Sequence, residues 1–217
     1  MKERIDPYIL GLWLADRYWW GSSVGLSNTD ERLILRFTRW LLQYYPPERV
    51  KLKVYVACSN DLYKHCSTDL VGHQLLKLIP PENIKFYCNK KLLGVHYIVY
   101  VNSRSLKRLI NNVARDLLNY ITDKENALSY LAGRTDGDGS IDFNKIRLRI
   151  AYSNINEALI DARLIRNIIG TDPKIKYYEK AREYISEICC TRYIDFISNL
   201  ARKTIRFSDL FDREALA

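Results

Sequence analysis

Three stretches of the chain alternate residue by residue between apolar and polar side chains, a period that sends neighbours to opposite faces of a strand. In Lys145-Ile146-Arg147-Leu148-Arg149-Ile150, the cations Lys145, Arg147 and Arg149 share one face and three aliphatic residues the other. Lys174-Ile175-Lys176-Tyr177-Tyr178-Glu179-Lys180 groups Lys174, Lys176, Tyr178 and Lys180, while Lys51-Leu52-Lys53-Val54-Tyr55-Val56 groups Lys51, Lys53 and Tyr55. Lys85, Tyr87 and Asn89 form a shorter echo. Elsewhere apolar residues recur at helical spacing: Leu33, Ile34, Phe37, Trp40 and Leu41, then Leu159, Ile160, Leu164, Ile165 and Ile168.

Two further helices are predicted at 8–16 and 127–138, each built of small and apolar residues and each ending on an aspartate. Gly11 and Ala15 are four residues apart, as are Gly133 and Gly137, so each pair lies on one helix face with little side chain to hold a neighbour off. Packed in parallel, such helices would bring Asp16 beside Asp138, each at the negative end of a helix dipole, in a site that needs a cation. Asp136 has no acidic counterpart in the first copy, where Leu14 stands, and reads either as a structural residue or as one that supports the metal-binding groups from behind. A calcium loop starting at Asp136 is excluded, because its sixth position is Ile141 and its twelfth Arg147.

The chain is internally repeated. Ser27-Asn28-Thr29-Asp30-Glu31-Arg32-Leu33-Ile34 returns as Ser153-Asn154-Ile155-Asn156-Glu157-Ala158-Leu159-Ile160. Asn28 and Asn154 are the expected N-caps, with Glu31 and Glu157 three residues on. The two halves, 1–122 and 127–217, each read helix, two strands, helix, two strands, helix, an α+β arrangement of pseudo-symmetric αββαββα units with antiparallel sheets. In the first half the later strands are expected at 49–58 and 84–101. They flank a polar insertion over 59–82 that carries Leu70, Val71, Leu75, Leu76 and Leu78 before Pro80-Pro81. Residues 120–126 are the expected connection.

Composition narrows the function. The 217 residues carry a formal net charge of +9 and are 47% hydrophobic, with 16 Tyr and four Trp. Outward strand faces that are almost all cationic would repel themselves in water and are best satisfied by phosphates, which points to nucleic acid. A two-stranded ribbon also fits the major groove. An apolar run of about 18 residues and a charged-then-apolar leader are both missing, so an intracellular, soluble chain is expected. Cys58, Cys66 and Cys88 make no paired CxxC spacing, and Cys189 and Cys190 are adjacent. Buried free thiols in a reducing compartment are the preferred reading over a zinc site that includes His65 and Cys66. With three His, no Ser-His-Asp or Cys-His set is evident.

Leu131-Ala132-Gly133-Arg134-Thr135-Asp136-Gly137-Asp138-Gly139-Ser140 resembles the LAGLIDADG motif, and Leu10-Gly11-Leu12-Trp13-Leu14-Ala15-Asp16 resembles its first copy in single-chain, two-motif members. The chain as a whole is similar to monomeric LAGLIDADG homing endonucleases, which are encoded in introns or inteins. The resemblance implies motif helices packed at the interface of the halves and sheets forming a saddle over double-stranded DNA. It also implies cleavage of both strands across the minor groove, leaving short 3′ overhangs. Asp16 and Asp138 would bind Mg²⁺, or Mn²⁺, with help from the carbonyls of Ala15 and Gly137. The strand residues Lys51, Lys53, Tyr55, Lys85, Tyr87, Lys145, Arg147, Arg149, Lys174, Lys176, Tyr178 and Lys180 would contact DNA. Arg115, Arg202, Lys203 and Arg206 are candidates for basic support near the metals.

Two residues depart from the pattern. Arg17 replaces the glycine usual after the first acid, and Arg134 with Thr135 replaces large apolar residues under the second motif. A buried Arg134 needs a partner. The endonuclease is the leading reading. These departures lean only mildly toward the alternative class, a nucleic-acid-binding relative without strong catalysis such as an intron RNA maturase or a DNA-binding regulator, and the retention of both Asp16 and Asp138 argues against it. A structural or interaction module with a basic sheet is the weakest reading.

Overall fold

A computed structural model of the chain describes residues 5–57, 72–89, 92 and 94–208. Cys58, His65, Cys66, Leu70 and Val71 lie outside them. By contact the chain divides into two compact units, Asp16–Leu109 and a second made of Met1–Ala15 with Ile110–Ala217.

Asp16–Leu109 is built on a five-stranded sheet. Its strands are β1 (Arg17–Tyr18), β2 (Ser23–Asn28), β3 (Lys51–Val56), β4 (Ile84–Cys88) and β5 (Val95–Asn102), in the order β1-β2-β5-β3-β4. The single strand expected over 84–101 is two strands, because the chain turns between them at Gly94, whose φ of +98° suits a residue without Cβ. β4 runs parallel to β3, with Lys53 opposite Lys85 and Tyr55 opposite Tyr87. A parallel neighbour requires a crossover, and α3 (His73–Leu78) lies in that connection. All other pairings in this sheet are antiparallel. α2 (Glu31–Leu41) covers one face, burying Leu33, Ile34, Phe37, Trp40 and Leu41 against β2 and β5.

The cap of α2 differs from expectation. Asp30 is the N-cap, and its carboxylate accepts from the Arg32 backbone N–H. Asn28 stands two residues earlier, where its Oδ1 accepts from the Asp30 N–H at 2.7 Å and its amide nitrogen is left for another partner.

The second unit contains α1 (Pro7–Asp16), α5 (Leu117–Tyr120), α6 (Lys124–Asp138), α7 (Ile155–Ile169) and α8 (Ile194–Lys203), and α4 (Arg104–Arg115) leads into it. α6 starts three residues earlier than expected, because Asp123 caps it by accepting from the Asn126 N–H, and α5 occupies part of the expected connection. Strands β6 (Gly139–Asp142), β7 (Arg147–Tyr152), β8 (Lys174–Tyr178) and β9 (Glu183–Cys189) form an antiparallel sheet in the order β6-β7-β9-β8. Leu148, Ile150, Tyr152 and Ile188 are buried in this unit, where α6 and α7 pack on the sheet. Here the expected cap holds: Asn154 accepts from the Asn156 N–H, and α7 ends at Gly170 with φ +77°.

Two predicted strand cations fall in hairpin turns. Ile146 at φ +44° and Arg182 at φ +57° break the extended backbone, so Lys145 and Lys180 lie in the turns before β7 and after β8. The expectation of buried free thiols also fails. Cys88 is held in a disulfide, and Cys189 and Cys190 are exposed.

The motif helices α1 and α6 pack backbone to backbone. A Cβ on Gly11 would collide with the Tyr130 carbonyl oxygen and lie 3.0 Å from the Arg134 nitrogen. One on Gly133 would collide with the Tyr8 carbonyl oxygen and lie 2.7 Å from the Leu12 nitrogen. The close approaches at the two glycines are reciprocal at one offset, 11 to 133, 8 to 130 and 12 to 134.

Candidate metal and nucleic-acid site

Both motif helices are buried along their middle and surface at their C-terminal ends. Leu14 and Asp136 are buried, Ala15 and Gly137 half-buried, Asp16 half-buried and Asp138 exposed. A carboxylate thus closes each helix where solvent has access.

Each acid sits in a different local setting. The Asn28 amide donates to Asp16 Oδ2 at 2.6 Å, using the nitrogen that capping by Asp30 leaves available. In the second motif the buried Asp136 is a structural clamp. It accepts from the Tyr8 hydroxyl at 2.7 Å and from the backbone N–H groups of Ile205 and Arg206 at 2.6 and 2.9 Å. Burial pushes its carboxyl above the ordinary carboxylate range, against these donors. The clamped segment places Arg206 so that its Nη1 donates to the carbonyls of Asp136 at 2.7 Å and Gly137 at 3.3 Å. Arg206 therefore stands at the C-terminal carbonyls of α6, where a helix dipole favours a cation.

Arg134 finds the partner its burial demands. At 1% exposure it lies 3.3 Å from Asp161 and 3.4 Å from Glu157, with its guanidinium carbon 4.7 Å from the centre of the Tyr152 ring. The hydroxyls of Tyr130 and Tyr152 donate to the two oxygens of Asp161 at 2.9 and 3.0 Å. Burial pulls the guanidinium toward neutrality, but the negative charge of Asp161, with that of Glu157, outweighs it and keeps Arg134 a cation. Burial likewise pushes Asp161 up, opposed chiefly by Arg134.

The two sheets carry different outward chemistry. The five strands of Asp16–Leu109 contain no acidic residue. Lys53 donates to the Tyr18 hydroxyl at 3.0 Å and lies 5.2 Å from the ring centres of both Tyr18 and Tyr100. That hydrogen bond raises the Lys53 ammonium above its ordinary value. Tyr55 stacks on Tyr87 with ring centres 5.0 Å apart, and Ser27 bonds His96 Nε2 at 2.8 Å. Lys51 and Lys85 are exposed on the same face. The second sheet mixes signs. Arg149 pairs with Glu187 at 2.5 Å and Arg147 with Asp142 at 3.1 Å, and Glu187 is also the register partner of Lys174. The expected all-cation face is thus partly neutralised by β6 and β9, strands whose acids the alternation of β7 and β8 did not reveal. Lys174, Lys176 and Tyr178 remain exposed.

Among the remaining basic candidates, Lys203 pairs with Glu125, while Arg115 and Arg202 are exposed. Among the described residues no three His, Cys, Asp or Glu side chains gather as a metal cluster, so a cation at the motif ends would rely on carboxylate and carbonyl oxygens. Among the same residues no helix is long and apolar enough to cross a membrane.

No family model matches the sequence, and no curated protein matches it. Solved structures do. I-DmoI in complex with DNA and Mn superposes with a TM-score of 0.56 at 16% identity, covering 90% of this chain and 94% of that one. I-DmoI in complex with DNA and Ca gives 0.56 at 14% identity, covering 98% and 97%. The N-terminal LAGLIDADG domain of WhiA gives 0.55 at 12% identity, covering 97% and 88%. The chain has the LAGLIDADG fold. Within that fold, Asp16 and Asp138 stand at the ends of the motif helices as the sequence predicts, but the clamp that positions Arg206 was not anticipated. Tyr8, Asp136 and Ile205 are remote from one another in sequence and carry no shared pattern.

Proposed function

We propose that the chain is a site-specific, divalent-metal-dependent endonuclease that cuts both strands of DNA across the minor groove, acting as an intracellular monomer encoded in an intron or intein. Asp16 and Asp138 serve as the metal-binding carboxylates, assisted by the carbonyls of Ala15 and Gly137. One observation carries this reading: two glycine-packed helices contact each other reciprocally at a single offset, and each ends on an aspartate at the surface. Packing alone asks for the glycines; it does not ask for an acid twice. The likeness to I-DmoI, solved with DNA and divalent metal, supports the same reading.

The donors are all hard oxygens, which suit Mg²⁺ or Mn²⁺ and not zinc. When bound, such a cation supplies Lewis acidity and a water of lowered pKa. The protein's own groups orient and bind. Asn28 fixes the Asp16 carboxylate, and the Asp136 clamp holds the Arg206 guanidinium beside Gly137, ready to meet phosphate charge. Lys51, Lys53, Tyr55, Lys85, Tyr87, Arg147, Arg149, Lys174, Lys176 and Tyr178 contact DNA from the sheets, with Lys145 and Lys180 reaching it from turns. The halves, 1–122 and 127–217, each read one half-site.

One observation favours a binding-only relative acting on DNA or intron RNA: the Gly137 carbonyl already accepts from Arg206. Incubation with a randomised duplex library separates the two. Nuclease action gives fragments with defined ends in Mg²⁺ or Mn²⁺ and none in chelator. Retention of nucleic acid with no cut in any metal selects the binding-only reading.

A further inference from the structure

The turn between β1 and β2 holds two adjacent tryptophans out of the protein. Trp20 is 81% exposed and Trp19 48%. Single exposed apolar residues are ordinary, but this turn is braced. Lys107 Nζ donates to the carbonyls of Trp19 and Gly21 at 3.0 and 2.6 Å, and the Ser23 N–H donates to the Trp20 carbonyl at 2.9 Å. Gly21 supplies the left-handed residue at φ +59°. A large indole is therefore presented on a fixed backbone, so little order is lost when it meets a partner.

The surroundings specify that partner. The Arg17 guanidinium lies 4.6 Å and the Lys107 ammonium 5.6 Å from the centre of the Trp19 ring, so cations flank the turn. Tyr18, the residue before it, belongs to the face with Lys53 and Tyr100, on a sheet whose strands hold no acid. A flat apolar ring amid positive charge fits a polyanion with flat apolar faces of its own. We propose that the Trp19–Trp20 turn is a nucleic-acid contact in which the Trp20 indole stacks on, or wedges between, DNA bases. The inference rests on the DNA-binding reading above and adds a contact that none of the strand residues supplies. Insertion of an apolar side chain at a base step opens and bends the duplex, and flexible pyrimidine–purine steps yield most readily.

The test titrates wild type, Trp20→Phe, Trp20→Ala and Lys53→Ala into a labelled duplex of about 40 base pairs with randomised sequence, in chelator, over a range of salt. Trp20→Ala weakens binding about tenfold or more and Trp20→Phe by only a few-fold, because stacking tracks ring area. Neither changes the slope of log affinity against log salt, whereas Lys53→Ala lowers that slope by about one. Trp13 and Trp40 are buried and Trp19 is partly exposed, so the difference between wild type and Trp20→Phe isolates the Trp20 signal in acrylamide quenching, and duplex shields that signal in the wild type. Duplex binding by Trp20→Ala within about twofold of wild type, with no shielding, overturns the inference and leaves the DNA reading intact. Failure of the wild type to bind any duplex overturns both. Self-association in sedimentation that vanishes in Trp20→Ala, with duplex affinity unchanged, makes the turn a protein contact and also overturns it.

Discussion

Gly11 and Gly133 each turn a bare Cα toward the backbone of the other's helix, Gly11 against Tyr130 and Arg134, Gly133 against Tyr8 and Leu12. Neither contact leaves room for a methyl group, because the neighbouring atoms are main chain and cannot rotate away. Gly11→Ala and Gly133→Ala should each lower stability by about 2–3 kcal/mol, read by urea denaturation. Either variant within about 0.5 kcal/mol of wild type would mean that the helices are not so closely packed.

The duplicated Asn28 and Asn154 have diverged in use, which gives opposite expectations. Asn154→Ala removes a helix cap and should cost about 1 kcal/mol of stability. Asp30→Ala should do the same for α2, since Asp30 is its cap. Asn28→Ala releases the Asp16 carboxylate and should slow cleavage at least about tenfold, with saturating Mg²⁺ not restoring the rate. A full cleavage rate in Asn28→Ala would remove Asn28 from the positioning role.

These contrasts mark where the sequence was legible. The helix-strand order of the second half, the cap of α7 and the motif helices followed from local periodicity and capping residues, which act over a few positions. The double role of the 27–34 segment did not, because Asn28 and Asp30 are both competent caps and only Asp16 decides between them. The parallel strand β4 and the acids Asp142, Glu183 and Glu187 on the second sheet also stayed hidden. Strand pairing sets which residues share a face, and pairing is not written in the alternation of any one strand.

Arg134 is held by charge inside the protein. Asp161→Ala strips its closest carboxylate and two tyrosine hydroxyls of their acceptor, and should cost about 3–5 kcal/mol in denaturation. Arg134→Met, which removes the charge and keeps an unbranched apolar chain, should cost less. The reverse order would show that the Asp161 cluster does not serve to neutralise Arg134.

Glu187 tempers the second sheet. The Arg149 hydrogen bond holds its carboxyl below the ordinary value of 4.5. A lowered folded value means that the pair's stabilisation is present above the unfolded carboxylate pKa and is lost as pH falls through the folded value. The pair is partly exposed, so its stability effect is small. Its effect on binding is larger: Glu187→Gln removes a negative charge beside Arg149 and Lys174 and should tighten duplex binding about threefold or more at low salt. Unchanged affinity would place this face away from the DNA.

Asp16 and Asp138, as the two proposed metal-binding acids of a DNA cutter, are each expected to be indispensable for cleavage. Mapping of 5′ ends on both strands, after Mg²⁺ incubation of wild type, Asp16→Asn and Asp138→Asn with a duplex that each binds, tests it most directly. The expected result is a defined double-strand cut by the wild type and loss of that cut in each variant, with duplex affinity preserved. Cleavage by either variant at the wild-type rate, or duplex binding without cleavage by the wild type in both Mg²⁺ and Mn²⁺, would contradict it.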